Sequence, residues 1–359
     1  MQCKSCQRYK SDLIRREKEM KKSKVFALGL VLVLSLSLFI GCGNGDTNGD
    51  NGSEDEVQSI EWRLGHLGND THLWNVTALH FADLVNEKTD GQVTISVYPN
   101  EQLGNEIDNI NMIQSGTADM VISGESMQNW AEKAALMAVP YAFNDIDHLR
   151  SVVEGEIGAE IETEISEKIG LKALYYHVRA PRNLTSNYPI STPADLAGFS
   201  MRVPNVPLFV EAWKAAGANP QVMAFSEVFT ALQQNVINGQ ENPYDLIHSA
   251  NFNEVQEYTN ETEHVYGWLY VLVGEDQFAE LSEANKAAVL EAAAETQVFA
   301  DNLFSEEIEK YKAELIERGM KINSDVDKEA FREAMAPAVE EFLSETQLNL
   351  YNRIVEAGQ

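Results

Sequence analysis

The chain has 359 residues with 27 Lys+Arg against 56 Asp+Glu, a length that suits one large or two medium domains. That charge argues against nucleic acid and anionic lipid surfaces as partners. Residues 1–41 hold nine basic and three acidic residues, so the remainder carries 18 against 53, a net charge of −35. Such a chain can bind an anion only by gathering its few arginines in one place.

The N-terminus reads as a secretory signal. Lys21, Lys22 and Lys24 precede the apolar run VFALGLVLVLSLSLFI, which ends at Gly41-Cys42, a cleavage pattern rather than a permanent span. Residues 1–41 are assigned to the signal peptide, with 1–19 an over-long start before Met20. The stretch Leu38-Phe39-Ile40-Gly41-Cys42 resembles a bacterial lipobox with phenylalanine where leucine is usual. Cys42 is therefore the expected lipidation site and the N-terminal lipid anchor; an uncleaved anchor is the alternative. Residues 42–57, rich in Gly, Asn and acid, form the expected lipidated tether, with an average reach of about 20 Å. Cys3 and Cys6 have the spacing of half a zinc site, and no second pair exists.

From Ser59 the pattern alternates between strands and helices. IEWRLGHL is a strand, followed by the loop GNDTH and by a helix with Trp74, Ala78, Phe81 and Val85 on one stripe. QVTISVYP is the next strand, and the strand-helix-strand unit predicts parallel pairing. A helix over Ile107–Ser115 and the strand ADMVIS continue the rhythm, through EIGAEIETEISEKIG, to LKALYYHV. The segment FSMRV reads as a short strand with Phe199, Met201 and Val203 on its buried face and Arg202 on the other. That face suits either a ligand-facing or a surface arginine. Helices PLFVEAWKAAG and SEVFTALQQNV follow, the latter with a capped start framed by Ser226 and Phe229. HVYGWLYVLVG reads as one long apolar strand, and 280–319 and 327–355 are helical. The chain is α/β, with ligands expected beyond the carboxyl ends of strands.

The candidate site is the stretch from Arg179 to Tyr244. Arginine offers a planar fork of donors suited to a carboxylate, and asparagine adds one donor and one acceptor. Arg182, Arg202 and Asn242 are read as the grip on a small organic acid. Candidate acid pairs for catalysis, Glu54 with Glu56 and Glu306 with Glu307, fall in the tether and on a helix surface. A P-loop, a G-x-S-x-G elbow and a metal-binding pattern are missing from the sequence. The reading is therefore a binding protein, not an enzyme, with neither cofactor nor metal.

The segments FADLVNEKTDGQVTISVYPNEQLGNE, IQSGTADM, VPYAF, PADLAGFSMRVPN, FSEVFTALQQNVINGQENP and NEVQEYTNETEHVY, spread over 62–358, resemble the solute-binding proteins of tripartite ATP-independent periplasmic (TRAP) transporters, the DctP-like type. The resemblance implies a two-lobed periplasmic-binding-protein-like fold with hinge strands and a helical C-terminal region. Lobe I is expected over 58–181 plus 268–307 and lobe II over 182–267 plus 308–359. It places the carboxylate-gripping arginine at Arg202, a second arginine at Arg182 and a ligand asparagine at Asn242. Asn205, Phe225 and His264 fall at cleft positions, and His66, Ser123, Glu125 and Glu106 are expected to supply distal contacts. Where sialate-binding members carry an arginine, Glu125 is here followed by Ser126-Met127-Gln128, which lowers that ligand. The implied function is an extracytoplasmic receptor that captures a C4-dicarboxylate or sugar acid and delivers it to small and large integral membrane subunits. A sensor-coupled organic-acid-binding protein is the alternative.

Overall fold

The computed structural model describes residues 59–359, so the expectations for 1–58, including Cys42, lie outside the described residues. Two sheets organise the described chain. The strand β1 (Ile60–Gly65), the helix α1 (Leu73–Lys88) and β2 (Val93–Tyr98) form the expected crossover. β1 and β2 pair in parallel from Ile60↔Val93 to Gly65↔Tyr98. α1 turns Trp74, Ala78, Phe81 and Val85 inward, a stripe that drives it onto the sheet. Next come α2 (Glu106–Gln114), β3 (Met120–Ser123), α3 (Ile146–Val153), α4 (Glu156–Ile169) and β4 (Leu171–Val178).

The chain then leaves the first sheet at residues 179–181. β5 (Arg182–Ser186), β6 (Ser200–Val203), α5 (Pro207–Ala215), β7 (Asn219–Val222), α6 (Phe225–Gln233), β8 (Gly239–Asn242), α7 (Tyr244–Ser249) and β9 (Tyr258–Val265) build the second. It returns at 266–267 into β10 (Trp268–Gly274), which pairs antiparallel between β3 and β4. The finished orders are β2-β1-β3-β10-β4 and β11-β9-β5-β8-β6-β7, where β11 is Lys321–Asn323. Each sheet is the centre of one lobe. The expected single strand HVYGWLYVLVG is thus two strands in different sheets. Its hydrophobicity is uniform, so it carries no sign of the break. Gly267 makes the break possible: a Cβ there would lie 2.8 Å from Met137 O, and its carbonyl accepts from Arg179 N at 2.9 Å, locking the two crossings together.

Four helices finish the chain: α8 (Glu275–Ala279), α9 (Glu283–Glu317), α10 (Lys328–Phe342) and α11 (Glu345–Ala357). α9 runs for about 50 Å and buries Val289, Ala292, Ala293, Phe299, Leu303, Phe304 and Leu315, with Ile308 partly buried. The assignment of all of 308–359 to lobe II requires correction. α11 packs on the first lobe, where Gln347 Nε2 donates to Glu132 O at 2.6 Å, His148 Nε2 lies 2.8 Å from Ile354 O, and Leu350 and Ile354 join that core. The start of α6 is also corrected. Its N-cap is Ala224 and no side chain caps it from within, because the helix already begins at Phe225 and Ser226 lies inside the first turn, past the position from which a hydroxyl can cap.

Candidate functional site

The carboxyl ends of β1, β3, β4, β6 and β8 and the start of β5 bring the functional side chains together. Arg202 lies on β6 between β8 and β7. Its neighbours Met201 and Val203 are in the second core, as expected, yet Arg202 itself is only 4% exposed, which removes the surface reading. Its Nε donates to Met223 O at 3.0 Å, and its guanidinium carbon stands 5.7 Å from the Phe225 ring centroid. Among the described residues no carboxylate lies within ion-pair distance of it. Burial, only partly offset by Glu241, pulls its pKa down to about 10.

Arg182 is differently placed. Its Nε and Nη2 both reach the Glu241 carboxylate, Nη2 at 2.7 Å, and Nη2 also donates to Glu241 O at 3.0 Å. Its Nη1 is 3.6 Å from Glu125 Oε1. Burial works against the Arg182 charge, and Glu241 outweighs it, leaving the pKa raised. For Glu241, burial is outweighed by Arg182 and His264, which hold its carboxyl at about 2. The expectation of two forks for a ligand carboxylate is therefore corrected: Arg182 has spent its fork on Glu241.

His264 stands behind that pair. Its Nε2 is 3.0 Å from Glu241 Oε2 and its Nδ1 2.9 Å from Thr262 Oγ1, so both nitrogens are engaged and it orients Glu241. Asn242 is 2% exposed and donates Nδ2 to Gln240 Oε1 at 2.6 Å. Gln240 in turn donates to Thr185 Oγ1 at 3.2 Å, a chain that fixes the amide at the end of β8. Phe225, half-buried, floors Arg202 and meets Phe252 edge-on at 5.8 Å. Asn205 is exposed, and only its carbonyl is used, by Asn129 Nδ2 at 3.2 Å; its side chain belongs to the rim rather than to the buried group.

The first lobe supplies a wall of incompletely satisfied polar groups. His66, 4% exposed, bonds Asn75 Oδ1 through Nε2 at 3.3 Å and leaves Nδ1 without a partner. Burial and then His72 push its pKa down to about 3, so the ring is neutral. Ser123 Oγ, Glu125 Oε2 and Arg179 Nε are likewise buried and unpartnered, while Glu125 Oε1 accepts from Arg179 Nη1 at 2.9 Å. Buried polar atoms left open in this way call for a polar occupant. Glu106 opens α2 and bonds Ser126; burial and the neighbouring Glu125 push its carboxyl up to about 7.

Sequence reading gave no role to Glu241, although a charge inside the otherwise uncharged strand GQEN was a signal for it. It also missed the buried contact of His72 Nε2 with Asp245 Oδ2 at 3.2 Å, between residues too far apart in sequence to suggest each other. Among the described residues no group of three or more His, Cys, Asp or Glu is placed to hold a metal.

The bacterial extracellular solute-binding proteins of family 7, DctP, match residues 64–346. A solute-binding protein of Roseobacter denitrificans is 50% identical over 283 residues, 79% of this chain and 87% of its own length. The crystal structure of a TRAP periplasmic solute-binding protein from Roseobacter denitrificans with bound L-galactonate is 48% identical, with a TM-score of 0.81 over 83% of this chain and 99% of that one. The 2,3-diketo-L-gulonate-binding periplasmic protein of Escherichia coli is 34% identical over 77% of this chain and 85% of its own length. A TRAP periplasmic solute-binding protein from Chromohalobacter salexigens with bound D-glucuronate is 30% identical, with a TM-score of 0.79 over 82% of this chain and 99% of that one. With two sheets, a buried arginine and this match in agreement, the chain belongs to the DctP family of bacterial extracellular solute-binding proteins, the receptors of TRAP transporters.

Proposed function

We propose that this receptor captures a sugar acid bearing one carboxylate, seats that carboxylate on Arg202 and Asn242, and spreads the hydroxyl chain over His66, Ser123, Glu125 and Glu106. One observation carries the reading. Arg179 and Arg182 are matched to Glu125 and Glu241, whereas Arg202 is buried with no acid among the described residues within ion-pair distance. The count favours one ligand carboxylate, which sets a sugar acid above a C4-dicarboxylate. The relatives that bind L-galactonate and D-glucuronate support the same class.

The rest of the reading follows the family. Lobe I takes 58–181, 268–307 and the terminal helix, and lobe II takes 182–267 and the residues after 307 up to that helix. Closure hinges at 179–181, at 266–267 and along α9. The closed receptor delivers its ligand to small and large integral membrane subunits and performs no catalysis. Cys42 carries a lipid that holds the domain at the outer face of the membrane.

The test is a thermal-shift panel on residues 43–359 with L-galactonate, D-glucuronate, D-erythronate, succinate and the neutral polyol galactitol. A ligand at a hundred times its dissociation constant stabilises by about 2.7 kcal/mol. A shift with a sugar acid that Arg202→Ala abolishes is the expected result. Equal shifts with galactitol, or a larger shift with succinate, would refute the carboxylate count.

A further inference from the structure

The loop after β2 carries an acidic residue outside the sugar-acid site. Asn100 and Glu101 both have left-handed backbones, with φ of 57° and 55°, a conformation that non-glycine residues adopt under constraint. The constraint is visible. Asn100 N donates to Gly68 O at 2.9 Å, Glu101 N to His66 O at 3.1 Å, and Gly104 N to Glu101 O at 2.9 Å. The Asn100 amide also donates to Asp70 Oδ1 at 3.1 Å. The turn is thereby fastened to the loop that carries His66 and Asn69, and it aims Glu101 at α6 of the other lobe.

α6 begins without a cap of its own. Ala224 has the extended backbone of an N-cap, φ −60° and ψ 151°, and no side-chain acceptor, which leaves the first-turn N–H groups to find one elsewhere. Glu101 Oε2 accepts from Ser226 N at 3.1 Å. A second tie crosses nearby, from Asn69 Nδ2 to Ser249 O at 2.7 Å. These ties border a cavity of about 270 Å³ lined by Leu67, Asn100, Phe225, Phe229 and Phe252. The same helix start touches the anchor: Met223 O accepts from Arg202 Nε, and Phe225 lies under its guanidinium. Residues 223–226 therefore hold Arg202 on one side and Glu101 on the other.

The geometry points to Glu101 as a positioning residue that latches the cleft over a ligand held by Arg202, by capping α6 from the opposite lobe. The inference rests on the sugar-acid reading above. A carboxylate at a helix N-terminus gains both a hydrogen bond and a favourable dipole. Glu101 obtains them only when the lobes are together, so the contact stabilises the closed state and not the open one, which is the difference that lets a ligand drive closure.

The test follows dissociation of L-galactonate, or of whichever sugar acid in the panel binds, by stopped-flow tryptophan fluorescence. Glu101→Ala is expected to speed dissociation about 10-fold, the scale of one lost charged cap, while association changes by less than about 2-fold. Ala224→Asp then separates the latch from simple helix capping, because it gives α6 an acceptor from its own lobe. In the double variant a purely helix-stabilising role would return dissociation to the wild-type rate, whereas the latch predicts that it stays fast. Such a recovery, or wild-type dissociation in Glu101→Ala alone, overturns the latch and leaves the sugar-acid reading intact. Failure of every sugar acid to bind the unsubstituted protein overturns both.

Discussion

Replacing Arg202 by methionine should leave the ligand-free protein as stable as before, or more so, while destroying ligand binding. The guanidinium is held at about 10, well below its ordinary value, which corresponds to a cost of about 3 kcal/mol for keeping the charge buried. Opposing it are the bond to Met223 O and the ring of Phe225, worth about 1 kcal/mol each. Methionine keeps most of the aliphatic stem, so the net change is a gain of about 1 kcal/mol, or roughly 2–4 °C in Tm. Loss of one partner from a buried, hydrogen-bonded charge pair costs about 2–5 kcal/mol, a roughly 30-fold to several-thousand-fold weakening of sugar-acid affinity. Calorimetry with and without ligand reads both signs in one experiment. A ligand-free Tm that falls by more than about 4 °C would mean that the guanidinium is a structural element, and a preserved ligand shift would mean that the anchor lies elsewhere.

Glu241 should behave in the opposite way. Its folded pKa of about 2 lies below the ordinary 4.5, so its stabilisation, about 3 kcal/mol, is present above pH 4.5 and lost as pH falls toward 2. Glu241→Gln strands Arg182 and should lower Tm by about 10 °C; a fall of less than a few degrees in a melting curve at pH 7 would contradict the pairing. Glu106 carries the reverse shift. With a folded pKa of about 7 above the ordinary 4.5, it is largely protonated in the folded protein below pH 7, so stability declines as pH rises from 4.5 through 7. Tm measured from pH 5 to 8 should slope downward in the wild type and less steeply in Glu106→Gln, and parallel slopes would remove Glu106 as the cause.

Local pattern sufficed for much of the fold. The period of 3.6 in Trp74, Ala78, Phe81 and Val85, and the alternation in QVTISVYP, identify α1 and β2 because each side-chain direction is set by neighbours in sequence. The position of Arg202 opposite Met201 and Val203 was legible for the same reason. The resemblance to the receptor family added the two-lobed architecture, which alternation does not contain.

Other features depend on neighbours that sequence spacing does not bring together. Whether HVYGWLYVLVG was one strand or two depended on partners in two different sheets, and an apolar run contains no record of its partners. The division of labour between Arg182 and Arg202 depended on Glu241, 59 residues from one and 39 from the other, since a guanidinium is free or spent according to the carboxylate that reaches it. The chain by itself determined a dilute set of arginines in an acidic protein, each on a strand or a loop of known type. Only the tertiary structure decided which of those charges the protein neutralises itself and which it buries out of reach of any carboxylate among the described residues, because a Coulomb interaction follows distance in space and burial, and neither is a function of separation along the chain.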